Sequence, residues 1–214
     1  MKRSEVEERL KWDTSSIYTD DEGFYKDIEE VKNLVARLKE FKGKLTSDLE
    51  TFKEYLKLNE EFERKMEKAY VYSSLRNDED TTVSKYQEMS QVAENTYVYA
   101  ASELSFISPE ILSTDEKVIN SYLEDEEISY LKHYFEDMFR AKDHVLDEKS
   151  EAILAAFGKL KNNPQNTYMI FNNADLSFPS VQKDGEEIKI TNANFVTLQE
   201  DSNRDFRREV YEKY

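Results

Sequence analysis

The chain has 214 residues, with 46 Asp and Glu against 30 Lys and Arg, a formal charge of −16. Nucleic acid is not expected as a partner, because its phosphates would meet a surface of their own sign. Fourteen Tyr, 12 Phe and one Trp exclude a solvating acidic tail, and 4 Gly with 3 Pro against 36% charged residues describe long solvated helices rather than turn-rich β architecture.

Tyr25, Ile28, Val31, Leu34, Val35, Leu38 and Phe41 recur at steps of three and four, so they predict a first amphipathic helix. Thr19-Asp20-Asp21-Glu22 has capping-box spacing at its start, and Gly43 is the expected stop. A second capping box, Ser47-Asp48-Leu49-Glu50, opens a helix carrying Leu49, Phe52, Leu56, Phe62, Met66, Ala69 and Tyr70 to about Leu75. The pairs Glu60 with Arg64 and Glu61 with Lys65 on its polar face are worth only ~0.2–0.5 kcal/mol each. Arg76-Asn77-Asp78-Glu79-Asp80 reads as a polar break before a third face, Tyr86, Met89, Ala93, Tyr97, Ala100 and Leu104.

Ser108-Pro109-Glu110 reads as an N-cap followed by proline at the first helical position, and Ser113-Thr114-Asp115-Glu116 as another cap. Ile128, Leu131, Phe135, Met138 and Phe139 mark a helix entered through the acidic run 124–127. Ile153, Leu154, Phe157 and Leu160 mark the next, ended by Asn163-Pro164. Near residue 168 the pattern changes. Leu176 to Val181 and Glu187 to Ile190 alternate around Asp184-Gly185, a hairpin signature, with Pro179 on an edge or at a bulge. Helical spacing returns at Asn194 to Leu198, and Ser202-Asn203-Arg204-Asp205 is placed to cap a last helix with Phe206, Val210 and Tyr211. Its stripe runs into Tyr214 without a stop signal, so continuing polypeptide is expected. The predicted fold is mainly α, an up-and-down helical array with one small β-hairpin near the C-terminal end. Its domains are a helical lobe over 1–165 and a hairpin with helices over 166–214 that leads toward a further domain.

The chemistry-bearing residues are few. His133 and His144 are the two histidines, and no H-E-x-x-H occurs. His133, Asp137 and His144 would share a face on one unbroken helix, but their ends would lie ~16 Å apart, too far for one ion. A surface histidine beside a carboxylate is the simpler reading. Asn77 to Asp80 with Glu88 mimics a calcium loop, yet Thr82 stands where that loop requires glycine, which leaves a solvated interhelical turn. Tyr97 and Tyr99 read as core or boundary packing, with a tyrosine-lined groove as the alternative. No phosphate cradle or nucleophile elbow is present, and no cysteine is available for a disulfide, a thiolate zinc site or a nucleophile. No catalytic, cofactor-binding or metal-ligating residue is assigned. No apolar run reaches the ~20 residues that cross a bilayer. The start, Met1 to Glu8, has no signal-peptide stretch, so a cytoplasmic protein without membrane contact is expected.

Seven motifs in order nevertheless resemble the N-terminal region of oligoendopeptidase F, in the thimet-oligopeptidase-like zinc metallopeptidases. Trp12-Asp13 with Ser15-Ser16-Ile17-Tyr18 resembles the family's "W-D-L-S-x-L-Y", departing at Thr14, and Phe41-Lys42-Gly43-Lys44-Leu45 resembles "F-x-G-K-L". Glu79-Asp80-Thr81 before Tyr86-Gln87, Pro109-Glu110-Ile111-Leu112, and Tyr134 to Arg140 with His144-Val145-Leu146 and Glu151 are similar to its middle segments. Ala174-Asp175-Leu176-Ser177-Phe178-Pro179 with Asp184-Gly185-Glu186 resembles its "D-l-x-F-P" hairpin, and Asp205-Phe206-Arg207-Arg208 its following helix. The resemblance implies a parent enzyme that cuts short peptides in a channel between two lobes, using Zn2+ held by H-E-x-x-H and a further glutamate. None of those ligands falls on this sequence. The chain is then a channel wall, inactive alone, whose partner is a C-terminal catalytic domain. The rival reading is a free-standing acidic helical module that binds a peptide or protein.

Overall fold

The computed structural model describes residues 6–214, excepting the side chains at 159, 162, 173 and 174. The expectation drawn on Met1 to Glu5 lies outside the described residues, as does the Ala174 side chain of the hairpin motif. The described chain divides into two units, one ending at Asn163 and one covering Pro164–Tyr214.

The first unit is built on three helices that pack pairwise, α1 (Asp21–Lys39), α2 (Leu49–Glu79) and α3 (Ser84–Glu103). Asp20, not Thr19, caps α1. Its carboxylate accepts from the backbone N–H of Glu22 and Gly23, so one side chain satisfies two otherwise free donors. The buried stripe of α1 begins at Phe24 and continues through Ile28, Val31, Leu34, Val35 and Leu38, while Tyr25 is turned to solvent. The helix stops at Lys39, before the expected glycine. Gly43 instead serves the following turn at φ +79°, a left-handed backbone that a side chain would strain. That turn is pinned from α4 (Ile107–Ser113), where the Glu110 carboxylate accepts from the Gly43 and Leu45 N–H groups at 2.8 Å each.

Asp48, one residue later than expected, caps α2 by accepting from the Thr51 N–H at 2.9 Å. The predicted break at 76–80 is mostly helix. No glycine or proline interrupts it, Arg76 donates to Glu79 one turn on at 3.0 Å, and α2 runs to Glu79 before Asp80 turns the chain. In α4, Pro109 is tolerated because the first N–H groups of a helix have no internal partner, and Ser108 lies inside the helix rather than capping it. Asp115 caps α5 (Glu116–Tyr122). A 3-10 turn at Ser129–Leu131 leads into α6 (Lys132–Arg140), and Asp147 caps α7 (Glu148–Ala156). The core centres on Phe52 of α2, whose ring lies 5.5 Å from that of Phe135 and 5.7 Å from that of Tyr122.

The expected stop at Asn163-Pro164 does not occur, since α8 (Gly158–Ile170) contains Pro164. Proline removes its own N–H from the ladder and disfavours the preceding residue's helical state without forbidding helix on both sides. In the second unit the hairpin forms as predicted. The strands β1 (Ser180–Lys183) and β2 (Glu186–Lys189) are antiparallel with Val181 opposite Ile188, joined by Asp184 at φ 52° and Gly185 at φ 83°. Then come α9 (Phe195–Gln199) and α10 (Arg204–Lys213), the latter capped by Asn203 accepting from the Asp205 and Phe206 N–H groups. Val181, Ile190, Phe206 and Val210 form a small core of their own, whereas Tyr211 faces solvent.

Candidate functional site

The residues most suited to chemistry are placed where they hold neighbours rather than ligands. His133 lies on α6 with an 80% exposed side chain, its Nε2 3.5 Å from the Asp137 carboxylate and its Nδ1 3.8 Å from Glu136. Because α6 ends at Arg140, His144 falls on a separate 3-10 turn, Lys142–His144, and the unbroken helix that would align the two imidazoles does not form. Asp137 is also engaged by Arg140 at 3.0 Å. Each ring nitrogen of His133 therefore faces a carboxylate, and no group of three His, Asp or Glu side chains among the described residues could hold a metal. A zinc site of the family's type does not fit this donor set.

The calcium-like run is likewise dispersed. Asn77, Asp78 and Glu79 sit in the last turn of α2, and the Asp80 carboxylate accepts from the N–H and the hydroxyl of Thr82 at 2.9 and 2.6 Å. Both bonds fall on its Oδ1, within its own turn, and Glu88 is exposed on α3.

The polar residues with the strongest mutual geometry were not legible as a site. Tyr18 donates to Asp27 at 2.7 Å, and Lys65 bridges Asp27 and Glu30 at 3.0 and 2.6 Å. Six residues earlier on α1, Asp21 accepts from the Tyr72 hydroxyl at 2.7 Å and from Lys85 at 2.5 Å. Burial pushes both carboxyls up, but the hydrogen bonds that follow outweigh it, and Asp21 and Asp27 both sit below the ordinary carboxylate range. Burial raises the Tyr18 and Tyr72 hydroxyls, and the carboxylates they donate to raise them further. The network joins the segment before α1 to α1, α2 and α3. A charged residue at 27, one step before Ile28 on a buried stripe, was the clue in the sequence.

Two surfaces turn aromatic or apolar side chains toward solvent. Tyr97 is 54% exposed beside Tyr70, with ring centroids 6.3 Å apart, and Tyr99 is exposed as well, so neither belongs to the core. On α7 the arrangement is inverted. That helix packs on α3 and keeps its smallest residues, Ala152 and Ala155, partly covered. Just beyond it, a side chain at Gly158 would meet Val98 of α3 at 3.2 Å. Ile153 and Leu154 of α7, Phe157 at the turn after it and Leu160 of α8 are all more than half exposed. Each such side chain forgoes about half of the ~1.5–3 kcal/mol that going from full exposure to full burial supplies.

The family model described as Oligopeptidase F matches residues 110–178. Oligopeptidase PepF of Bacillus subtilis (strain 168) is 35% identical over 212 residues, 98% of this chain and 32% of its own length. Group B oligopeptidase PepB of Streptococcus agalactiae is also 35% identical, over 98% of this chain and 35% of its own length. The crystal structure of oligoendopeptidase-F from Enterococcus faecium superposes with a TM-score of 0.83 at 26% identity, covering 90% of this chain and 37% of that one. The chain is an oligoendopeptidase F-like sequence that matches the family's N-terminal region. It spans about a third of the length of the oligoendopeptidase F-type relatives it matches. Among its described residues no helix is long and apolar enough to cross a membrane.

Proposed function

We propose that this chain is the N-terminal lobe of a cytoplasmic, oligoendopeptidase F-like zinc metalloendopeptidase that hydrolyses short peptides, and that alone it is inactive. The observation that carries this reading is the end-to-end match, 98% of this chain against about a third of each relative. The helical lobe over 1–165 contributes wall to the peptide channel. Residues 166–214 lead toward the catalytic domain, the chain's partner, which supplies the zinc ligands and the general base. The sequence contains no H-E-x-x-H, and the His133 cluster does not fit zinc, so the metal's ligands are assigned to the catalytic domain. What these residues supply is exclusion of large substrates and a scaffold for the domain that does the chemistry.

The test compares the 214-residue chain with the full product of its gene. A quenched peptide of fewer than about 20 residues should be cut by the full product in a zinc-dependent way, and left intact by the 214 residues at any zinc concentration. Zinc-dependent cleavage by the 214 residues alone overturns the reading, as does a gene that encodes nothing beyond them.

A further inference from the structure

On the reading just given, the partner domain needs a place to dock, and the structure assigns it. We propose that the apolar stripe of Ile153, Leu154, Phe157 and Leu160 is the surface on which the remaining two thirds of an oligoendopeptidase F-length polypeptide seats. Three observations converge. The four side chains keep the i, i+1, i+4, i+7 spacing of a buried helix face across the end of α7, the Phe157 turn and the start of α8, yet every member is more than half exposed. The inner side of α7 is already spent against α3 through small residues, so a shift of α7 inward cannot cover it. And the stripe lies inside 110–178, the segment that the family model matches, in a chain whose relatives carry about twice as much polypeptide again. An exposed apolar patch of this kind marks an interaction surface. A second copy is the poorer occupant, because each molecule brings a formal charge of −16 to the contact.

These 214 residues contain no cysteine, so each thiol introduced among them is identified by its own peptide. Leu154→Cys and Phe157→Cys are made in the 214-residue chain and in the full gene product, with Asn33→Cys on the exposed side of α1 as control. Site-resolved alkylation rates are read by mass spectrometry. Both stripe positions should react slower by about tenfold or more in the full product, with N33C unchanged. Equal rates at both stripe positions in a full product that still cuts peptides overturn the docking surface while leaving the proposed function standing. A gene that ends with these residues removes the occupant and overturns both. Protection that appears only in the 214-residue chain and grows with its concentration hands the face to a second copy and overturns the proposal.

Discussion

The Tyr18 hydroxyl donates a 2.7 Å hydrogen bond to the Asp27 carboxylate, which also receives Lys65 from α2 at 3.0 Å. Both residues are buried, so water offers neither of them a substitute partner. Asp27→Ala should therefore destabilise the first unit by about 1–3 kcal/mol, and Tyr18→Phe by less, since it deletes one donor and leaves Asp27 held by lysine. Thermal unfolding checks this, at about 2–4 °C per kcal/mol for a chain of this size. A D27A midpoint equal to that of Y18F would show that the lysine contact contributes nothing.

The same pair sets limits on pH. The folded Asp27 and Asp21 carboxyls lie below the ordinary value. Their contribution is complete above about pH 4 and is lost as pH falls through the depressed folded value. Tyr18 and Tyr72 are raised, so their contribution is present below about pH 10 and is lost as pH rises beyond it. The stability profile should be flat between these limits and fall on both sides. Asp27→Asn should flatten the acid limb and Tyr18→Phe the alkaline limb, and urea midpoints taken across pH 2–11 would read both.

Helix order was legible because period-3.6 stripes of Phe, Leu, Ile and Met face the core, as in Ile28, Val31, Leu38, Phe62 and Met66, but helix number was not, since α7 and α8 were read as one helix. Residues with two environments were misplaced. Tyr25, Tyr97 and Tyr211 keep a stripe's spacing, but each pairs an apolar ring with a hydroxyl that water solvates well, so neighbouring Phe24, Thr96 and Val210 take the interior instead. Polar runs misled in the other direction. The run Arg76 to Glu79 looks like a break, yet its local Arg-Glu contact keeps it helical. The run Ile153 to Leu160 was read as one helix ended at Asn163-Pro164, whereas α7 gives way to α8 at Phe157, and periodicity says which residues share a face and not whether this chain contains what covers it.

The hairpin rests on two consecutive left-handed residues, Asp184 at φ 52° and Gly185 at φ 83°. Aspartate tolerates that conformation, whereas a Cβ at 185 meets its neighbouring carbonyl. Gly185→Ala should cost about 1–2 kcal/mol and raise amide exchange at Val181 and Ile188 without altering α1–α3, because the two units have separate cores. Asp184→Asn should be neutral. Equal exchange in G185A and the parent chain would mean that the turn relaxes to another type.

Phe52 and Phe157 are the same side chain in opposite circumstances. Phe52 is fully buried between Phe135, Tyr122 and Tyr55, while Phe157 is 55% exposed at the turn between α7 and α8. In the 214-residue chain, Phe52→Ala should cost about 3–5 kcal/mol, enough to threaten the fold, because it empties the centre of the core. Phe157→Ser should move stability by no more than about 0.5 kcal/mol. It should lower the binding of an apolar dye and any tendency to associate, since it puts a hydroxyl into the exposed stripe. Denaturant midpoints and dye fluorescence on the two variants separate the cases. A large loss of stability in F157S would place that ring in the core of this unit, and the outward-facing stripe would lose its largest member.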